Sequence, residues 1–525
     1  KIVDAKGNIK EISGQDLAYM LVCGLYNHFE DYVKYDRNVD THIRNMFFKN
    51  EEFCPQRAIV AVPNNYTLVK IQEMVDTIKR TNMFKEVHFL YESEGVMMVY
   101  CRENWKQLDK LQHKVFVVFD MGGATINATV FRIQVNIETN KGNSYIRSID
   151  VDTKAKIGYG VGGDDIDFAI IQILYNIPSV KDVIGGGSSD HQRKYKGKLI
   201  ELAREIKLSI IDKENQNVRP GNIVESLDLF YGHIRTKFDK ELNVIIPEMT
   251  EKDSEYLLKE YRCHFMMEKY VFQNVTDAIE ELLSSIDRDN NQVELIMSGR
   301  SVLYPGIKEH VIDQVLNSGF ICEAPWNGFN DVEGHFSPEL VKTVVATGAC
   351  WYAMYSDKIA IHHDILTSTF GYIDMVGLEQ KFIPVLKRNT VFNNEGVIKR
   401  SVEPKAQNLS CVKFVQMLGN NYDEILDKRI QHKFNILDEV HPEQIPSRIS
   451  HIDMFVDNKN NFTYEIFVEG LIKPVTKETN PYSRLTDAQI KTEITDENSE
   501  AYLFATRNAL VEDELLGHIR VGRRF

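Results

Sequence analysis

Two repeats of apolar and polar positions alternate along the chain. After Ser13 and Asp16, spaced as a capping box, Leu17, Met20, Leu21 and Leu25 recur at helical spacing and predict an amphipathic helix of about six turns. Helical spacing also predicts helices over Tyr66–Thr81, Lys196–Asp212 and Val341–Met354, and mostly helical structure over 223–290. Short unbroken apolar runs at Ala58–Val62, Val87–Leu90, Val115–Phe119 and Val293–Ile296 predict buried strands. Residues 1–12 read as a short hairpin turning at Gly7. Ala128–Val135 reads as a strand followed by a polar insertion at about 136–156, and Gly185–Ser189 reads as a flexible loop.

Three glycine turns sit at the ends of these runs. Val115–Phe119 leads into Asp120, Gly122, Gly123, Ala124 and Thr125. Gly162 and Gly163 open a helix whose first turn holds Asp164 and Asp165, followed by Ile166, Ile170, Ile171 and Leu174. Ser298, Gly299, Arg300 and Ser301 follow the strand at Val293–Ile296. Adjacent glycines let backbone N–H groups approach an anion, and a helix N-terminus favours negative charge. Asp164 and Asp165 suit either that role or plain helix capping. One such turn is an ordinary β-turn; three in this order predict one ligand held from several sides.

Composition narrows the partners. The net charge of −14 argues against nucleic acid, because phosphate contacts need surplus Lys and Arg. Seven cysteines without a CxxC pair suit a reducing compartment, here expected to be the cytoplasm, and argue against a zinc site. No apolar run reaches the length of a membrane span.

The ordered motifs carry a resemblance. Phe119–Asn127, FDMGGATIN, resembles FDLGGGTFD of the seventy-kilodalton heat-shock chaperone family, whose ATPase fold is shared with actin and sugar kinases. Val161–Asp167 resembles LGGEDFD, Ile296–Ile307 resembles LVGGSTRIPKI, Ala58–Asn64 resembles AVVTVPA, and Tyr91–Glu94 stands at the place of NEPT. Further on, Lys358–Ile365 resembles the interdomain linker and Phe382–Thr390, FIPVLKRNT, resembles MTPLIKRNT at the start of the family's β-sandwich. Val412–Gly419 and Asp427–Ile436 resemble later sandwich strands, His451–Val468 a sandwich hairpin, and Arg484–Lys491 the opening of the helical lid. The resemblance implies an α/β plus β fold: an actin-like (ribonuclease H-like) nucleotide-binding domain over 1–356, a linker over 357–370, a β-sandwich peptide-binding domain over 371–480 and a short helical lid remnant over 481–525.

The resemblance also assigns roles. Asp120 and Glu92 would position Mg²⁺ and water, with Asp120 as the metal ligand. Gly122, Gly123, Ala124, Thr125, Gly162, Gly163, Asp164, Asp165, Gly299, Arg300 and Ser301 would surround ATP or ADP. Of the family's adenosine clamp only Ser209 remains, with Leu202, Glu205 and Ile206 at its other positions. Ile373, Met375, Val412 and Phe414 match the apolar pocket for extended peptide, and their alternation fits sandwich-core positions as well. The loop Gly371–Phe382 reads as three residues longer than in the family. Other departures weigh against nucleotide. Ala124, Asn127, Ser93 and Arg300 replace a glycine, an aspartate, a proline and a glycine, and the family's first phosphate loop, GIDLGTT, has no counterpart after Lys1. Each lost charge-assisted hydrogen bond is worth roughly 1.5–3 kcal/mol.

Two functions follow. One is a divergent chaperone that binds extended apolar segments of unfolded polypeptides under ATP control, with co-chaperones as partners. The other is a nucleotide-insensitive structural subunit of a larger assembly. A sugar or acyl kinase on the same ATPase fold fits less well, because a sandwich follows.

Overall fold

The computed structural model describes residues 14–49, 52–185, 231–262, 271–329, 337–404, 412–417 and 434–479, apart from single positions and short gaps within those spans. It also describes the short pieces 2–3, 9–10, 203–204 and 207–208. Among these residues, no helix is long and apolar enough to cross a membrane.

The elements that place the site run as follows. They begin with α1 (Gly14–Tyr35), β1 (Arg57–Val62), α2 (Leu68–Lys79), β2 (Glu86–Tyr91) and α3 (Glu92–Glu103). Next come β3 (Val115–Met121), β4 (Ile126–Asn140), β5 (Asn143–Tyr159) and α4 (Gly163–Asn176). The lobe is completed by α5 (Gln273–Ser284), β6 (Gln292–Ser298), α6 (Ile307–Asn317), β7 (Ile321–Cys322), α7 (Pro338–Tyr355) and β8 (Ile359–His362).

A six-stranded sheet in the order β7-β6-β3-β4-β5-β8 is the frame. Every residue of β3 is buried, as its unbroken apolar run requires of a strand covered on both faces. It pairs parallel with β6, Val115 opposite Val293 and Asp120 opposite Ser298. It pairs antiparallel with β4, Asp120 opposite Asn127. This register brings the end of the first glycine turn's strand beside the end of the third's.

The stretch expected as a polar insertion is instead the end of β4 and most of β5, the two arms of one long hairpin. Its period of two is visible in Ile149, Val151, Thr153, Ala155 and Ile157, all buried, with polar residues between them. A bulge at Val130/Phe131 changes the face that the hairpin presents. Ala128, Val130, Ala155 and Ile157 join the core that holds α4, α5 and α6. Phe131, Ile133, Ile149 and Val151 join the opposite core, with α3 and α7.

The helix α1 forms as predicted, but Leu17, Met20, Leu21 and Leu25 are exposed on it. It is held through its other face, where the Tyr26 ring lies edge-on to Phe53 at 5.1 Å.

The second unit has two four-stranded antiparallel sheets. One comprises β9 (Thr369–Val376), β10 (Glu379–Leu386), β12 (Val412–Met417) and β13 (Phe434–Val440), in the order β10-β9-β12-β13. The other comprises β11 (Val397–Val402), β14 (Ile449–Asp457), β15 (Phe462–Val468) and β16 (Val475–Thr479), in the order β11-β14-β15-β16. Residues of both sheets share one core. Gly371–Phe382, expected as a long loop, is the β9–β10 hairpin, with Val376 paired to Glu379. The lid sequence Arg484–Lys491 and the strand expected over 427–433 lie outside the described residues.

The two units are joined by β8, the edge strand, which lies parallel on β5, Ile359 opposite Ile149. A side-chain contact reinforces the joint, Arg388 pairing with Glu281 of α5.

Candidate functional site

Asp120 is the next-to-last residue of β3 and is 5% exposed. Burial raises its pKa, and the neighbouring side chains of Ser298 and Asn127 pull it back down. Glu92, the first residue of α3, is pushed up to about 7, first by burial and then by the charge of Asp120, with Asn127 opposing. Asn127 mediates between them. Its Nδ2 donates to Glu92 Oε2 at 2.6 Å and to Thr125 Oγ1 at 3.2 Å, while its Oδ1 accepts from the Asn64 N–H at 2.8 Å. An aspartate there would set a third carboxylate beside two; the amide supplies a donor to Glu92 instead.

Behind this trio lies a buried network that the sequence did not suggest. Asn64 Nδ2 donates to Thr129 Oγ1 at 2.9 Å and to the Ile157 carbonyl at 3.0 Å. Ser93 Oγ donates to Asn64 Oδ1 at 3.0 Å and lies 2.7 Å from Thr129 Oγ1. Ser93 thus contributes a hydroxyl that the network uses.

The three glycine turns meet in front of Asp120. The Gly163 N–H donates to the Gly122 carbonyl at 3.0 Å, and the Asp164 N–H donates to the Gly123 carbonyl at 2.7 Å. Ser301 Oγ donates to the same Gly122 carbonyl at 2.8 Å. Gly299 sits at φ 87°, and a Cβ there would land on the Met121 backbone. Asp165 is a cap, its Oδ2 accepting from the Gly162 N–H at 2.8 Å, which is the plainer of its two expected roles. Lys207, which the sequence reading passed over, donates to the Gly163 carbonyl at 2.9 Å and pairs with Asp167 at 2.7 Å. Arg300 is exposed rather than inside the cluster, and Ser209 lies outside the described residues.

Two kinds of N–H group result. Those opening α4 are spent on the first turn's carbonyls. Those of Gly123, Ala124 and Thr125 have no backbone acceptor among the described residues, and Gly123 and Ala124 are exposed. Successive free N–H groups beside a carboxylate pair suit a phosphate carried with a divalent cation. Among the described residues no three His, Cys, Asp or Glu side chains converge as a metal-ligand set. Asp120 and Glu92 alone fit a magnesium ion only if phosphate oxygens and water supply the other ligands.

The expected peptide-pocket residues are spread differently. Val412 and Phe414 are fully buried, and Phe414 stacks on Tyr464 with ring centres 4.0 Å apart. They occupy the core positions that their alternation also allowed. Ile373 is half-buried on β9, opposite Lys413, and the side chain of Met375 lies outside the described part. No protein-family model matches this chain, and no curated protein matches it.

Proposed function

We propose that the chain is a divergent heat-shock-type chaperone whose first unit receives Mg-ATP or ADP and whose second unit is a β-sandwich for extended polypeptide. The observation that carries this reading is the hydrogen-bonded meeting of three glycine turns in front of Asp120. Gly123, Ala124 and Thr125 would hold the terminal phosphate through their N–H groups, with Asp120 and Glu92 on its magnesium. Glu92 near neutrality suits a proton acceptor for an attacking water.

A second reading rests on the spent N–H groups of Gly163 and Asp164 and on the buried Val412 and Phe414. It makes the protein a nucleotide-insensitive scaffold within a larger assembly. Calorimetry with Mg-ATP and with ADP on the full-length protein separates the two. Binding that is abolished by Asp120→Asn and by Gly123→Arg supports the nucleotide-linked chaperone. No heat at millimolar nucleotide from folded protein rejects it and leaves the scaffold.

A further inference from the structure

The two acids of the site belong to different sheets. Glu92 follows β2 of the two-stranded parallel sheet β1–β2, whereas Asp120 lies on β3 of the six-stranded sheet. Val62 ends β1 opposite Tyr91, the residue before Glu92. Where Glu92 stands therefore depends on how this end of the small sheet is tied to the large one.

Asn64, two residues beyond β1 and 7% exposed, makes that tie. Its Nδ2 faces the hairpin, donating to Thr129 Oγ1 at 2.9 Å and to the Ile157 and Ala128 carbonyls at 3.0 and 3.3 Å. Carbonyls only accept, so the nitrogen must lie on that side and Oδ1 on the other, where Ser93 Oγ–H of α3 donates to it at 3.0 Å. Ser93 has then given its proton, and Thr129 supplies the one between the two hydroxyls, 2.7 Å apart.

A side chain held on both sides also holds its own main chain. The Asn64 N–H donates to Asn127 Oδ1 at 2.8 Å. A main-chain N–H cannot accept, so Asn127 is kept one way round. Both its Nδ2 hydrogens turn to the site, one to Glu92 Oε2 at 2.6 Å and one to Thr125 Oγ1 at 3.2 Å. The opposite amide would set donor against donor at Asn64 and oxygen against oxygen at Glu92. Thr125 accepts its bond, which leaves its own hydrogen to donate to a phosphate oxygen.

We propose that Asn64 is a positioning residue for the acid pair, fixing through Asn127 where Glu92 stands relative to Asp120 and which groups of the site donate. Its service to a bound nucleotide rests on the chaperone reading above, whereas its hold on Asn127 does not.

Nitrogen-15 asparagine labelling of the full-length protein tests that hold with no ligand present. The Asn127 side-chain amide, recognised by its loss in Asn127→Ala, should exchange slowly with water. Asn64→Ala, and Thr129→Val, which keeps the shape and removes the hydroxyl, should each speed that exchange by about tenfold or more. Thr129→Ser should restore it. Main-chain exchange along β3 is the reference and should not change. Electron paramagnetic resonance of Mn-ADP binding is the second readout, with an expected loss of about 10- to 100-fold in affinity in the same two variants. An Asn127 amide as protected in both variants as in the wild type overturns the proposal. Equal loss of protection along β3 also overturns it, since Asn64 would then support the fold at large. So does Mn-ADP affinity within about twofold of a wild type that binds it. Wild-type protein that holds the amide but takes up no Mn-ADP removes the chaperone reading, while the positioning of the acid pair stands. Should Asn64→Ala fail to fold, Thr129→Val against Thr129→Ser decides.

Discussion

Asn127 sets the charge balance of the site. It is fully buried and holds Glu92 as an acceptor without adding a negative charge. Because the folded pKa of Glu92 lies above its ordinary value, the native state holds that proton more tightly than the unfolded chain does. Stability is then highest at low pH, falls as pH rises through the ordinary glutamate range, and flattens above about 7. Glu92→Gln should remove that slope and gain about 2–3 kcal/mol at about pH 8, read by urea unfolding at about pH 5 and about pH 8. Asn127→Asp should do the reverse, losing on the order of 2 kcal/mol at the higher pH and recovering most of it at the lower. At this scale the sequence displayed the acids and the glycines, because each sits in a local motif. It concealed Asn64, Ser93 and Thr129, whose mutual hydrogen bonds span between 29 and 65 residues of chain.

Between elements, the closest approach is the crossing of α3 and α7. A Cβ on Gly348 would fall on the Gly95 carbonyl, and one on Gly95 would lie 2.9 Å from the Val345 carbonyl. Neither backbone can retreat, because α3 is buried along nearly its whole length. Gly348→Ala should therefore destabilise by about 1–3 kcal/mol through overpacking, seen as a lower melting temperature. A drop no larger than that of an exposed Gly-to-Ala change would show that the helices slide apart freely. The helices at 68–79 and 338–355 and the buried strands at 57–62, 86–91, 115–121 and 292–298 were legible from period and run length to within a few residues, while the helix expected over Lys196–Asp212 lies almost wholly outside the described residues. The arm β5 was not, since a strand with one face toward a core and charged residues on the other reads as polar overall. The hairpin β9–β10 was hidden for another reason: its paired residues, up to Val376 opposite Glu379, fall in the stretch that the resemblance assigns to a loop.

Across the whole molecule, the joint between the two units includes strand pairing at β8 and a buried ion pair. Glu281→Ala would leave the Arg388 guanidinium in place without its counter-ion, a loss of about 3–5 kcal/mol for a buried pair broken on one side. Scanning calorimetry should then resolve two transitions where the wild type has one. The double change Glu281→Ala with Arg388→Met should restore part of the loss, and a double variant no better than the single would show that the pair does not couple the units. The division into an α/β part and a β part came from the motifs shared with the chaperone family rather than from period alone. The seating of one on the other did not, because it depends on side chains that meet only after both have folded.

The long hairpin has a consequence for how this chain can change length. From Gly158, opposite Asn127 at the site, to Ile149, opposite Ile359 at the joint, β5 advances roughly 30 Å in a single ladder. Its bulge already absorbs one extra residue, and the two cores are assigned on either side of it. A further insertion or deletion between those positions would put one end out of phase with the other, so that glycine turns and joint could not both be in register. Natural versions of this chain should therefore vary in length between Asn140 and Asn143 and keep a constant count from 149 to 158.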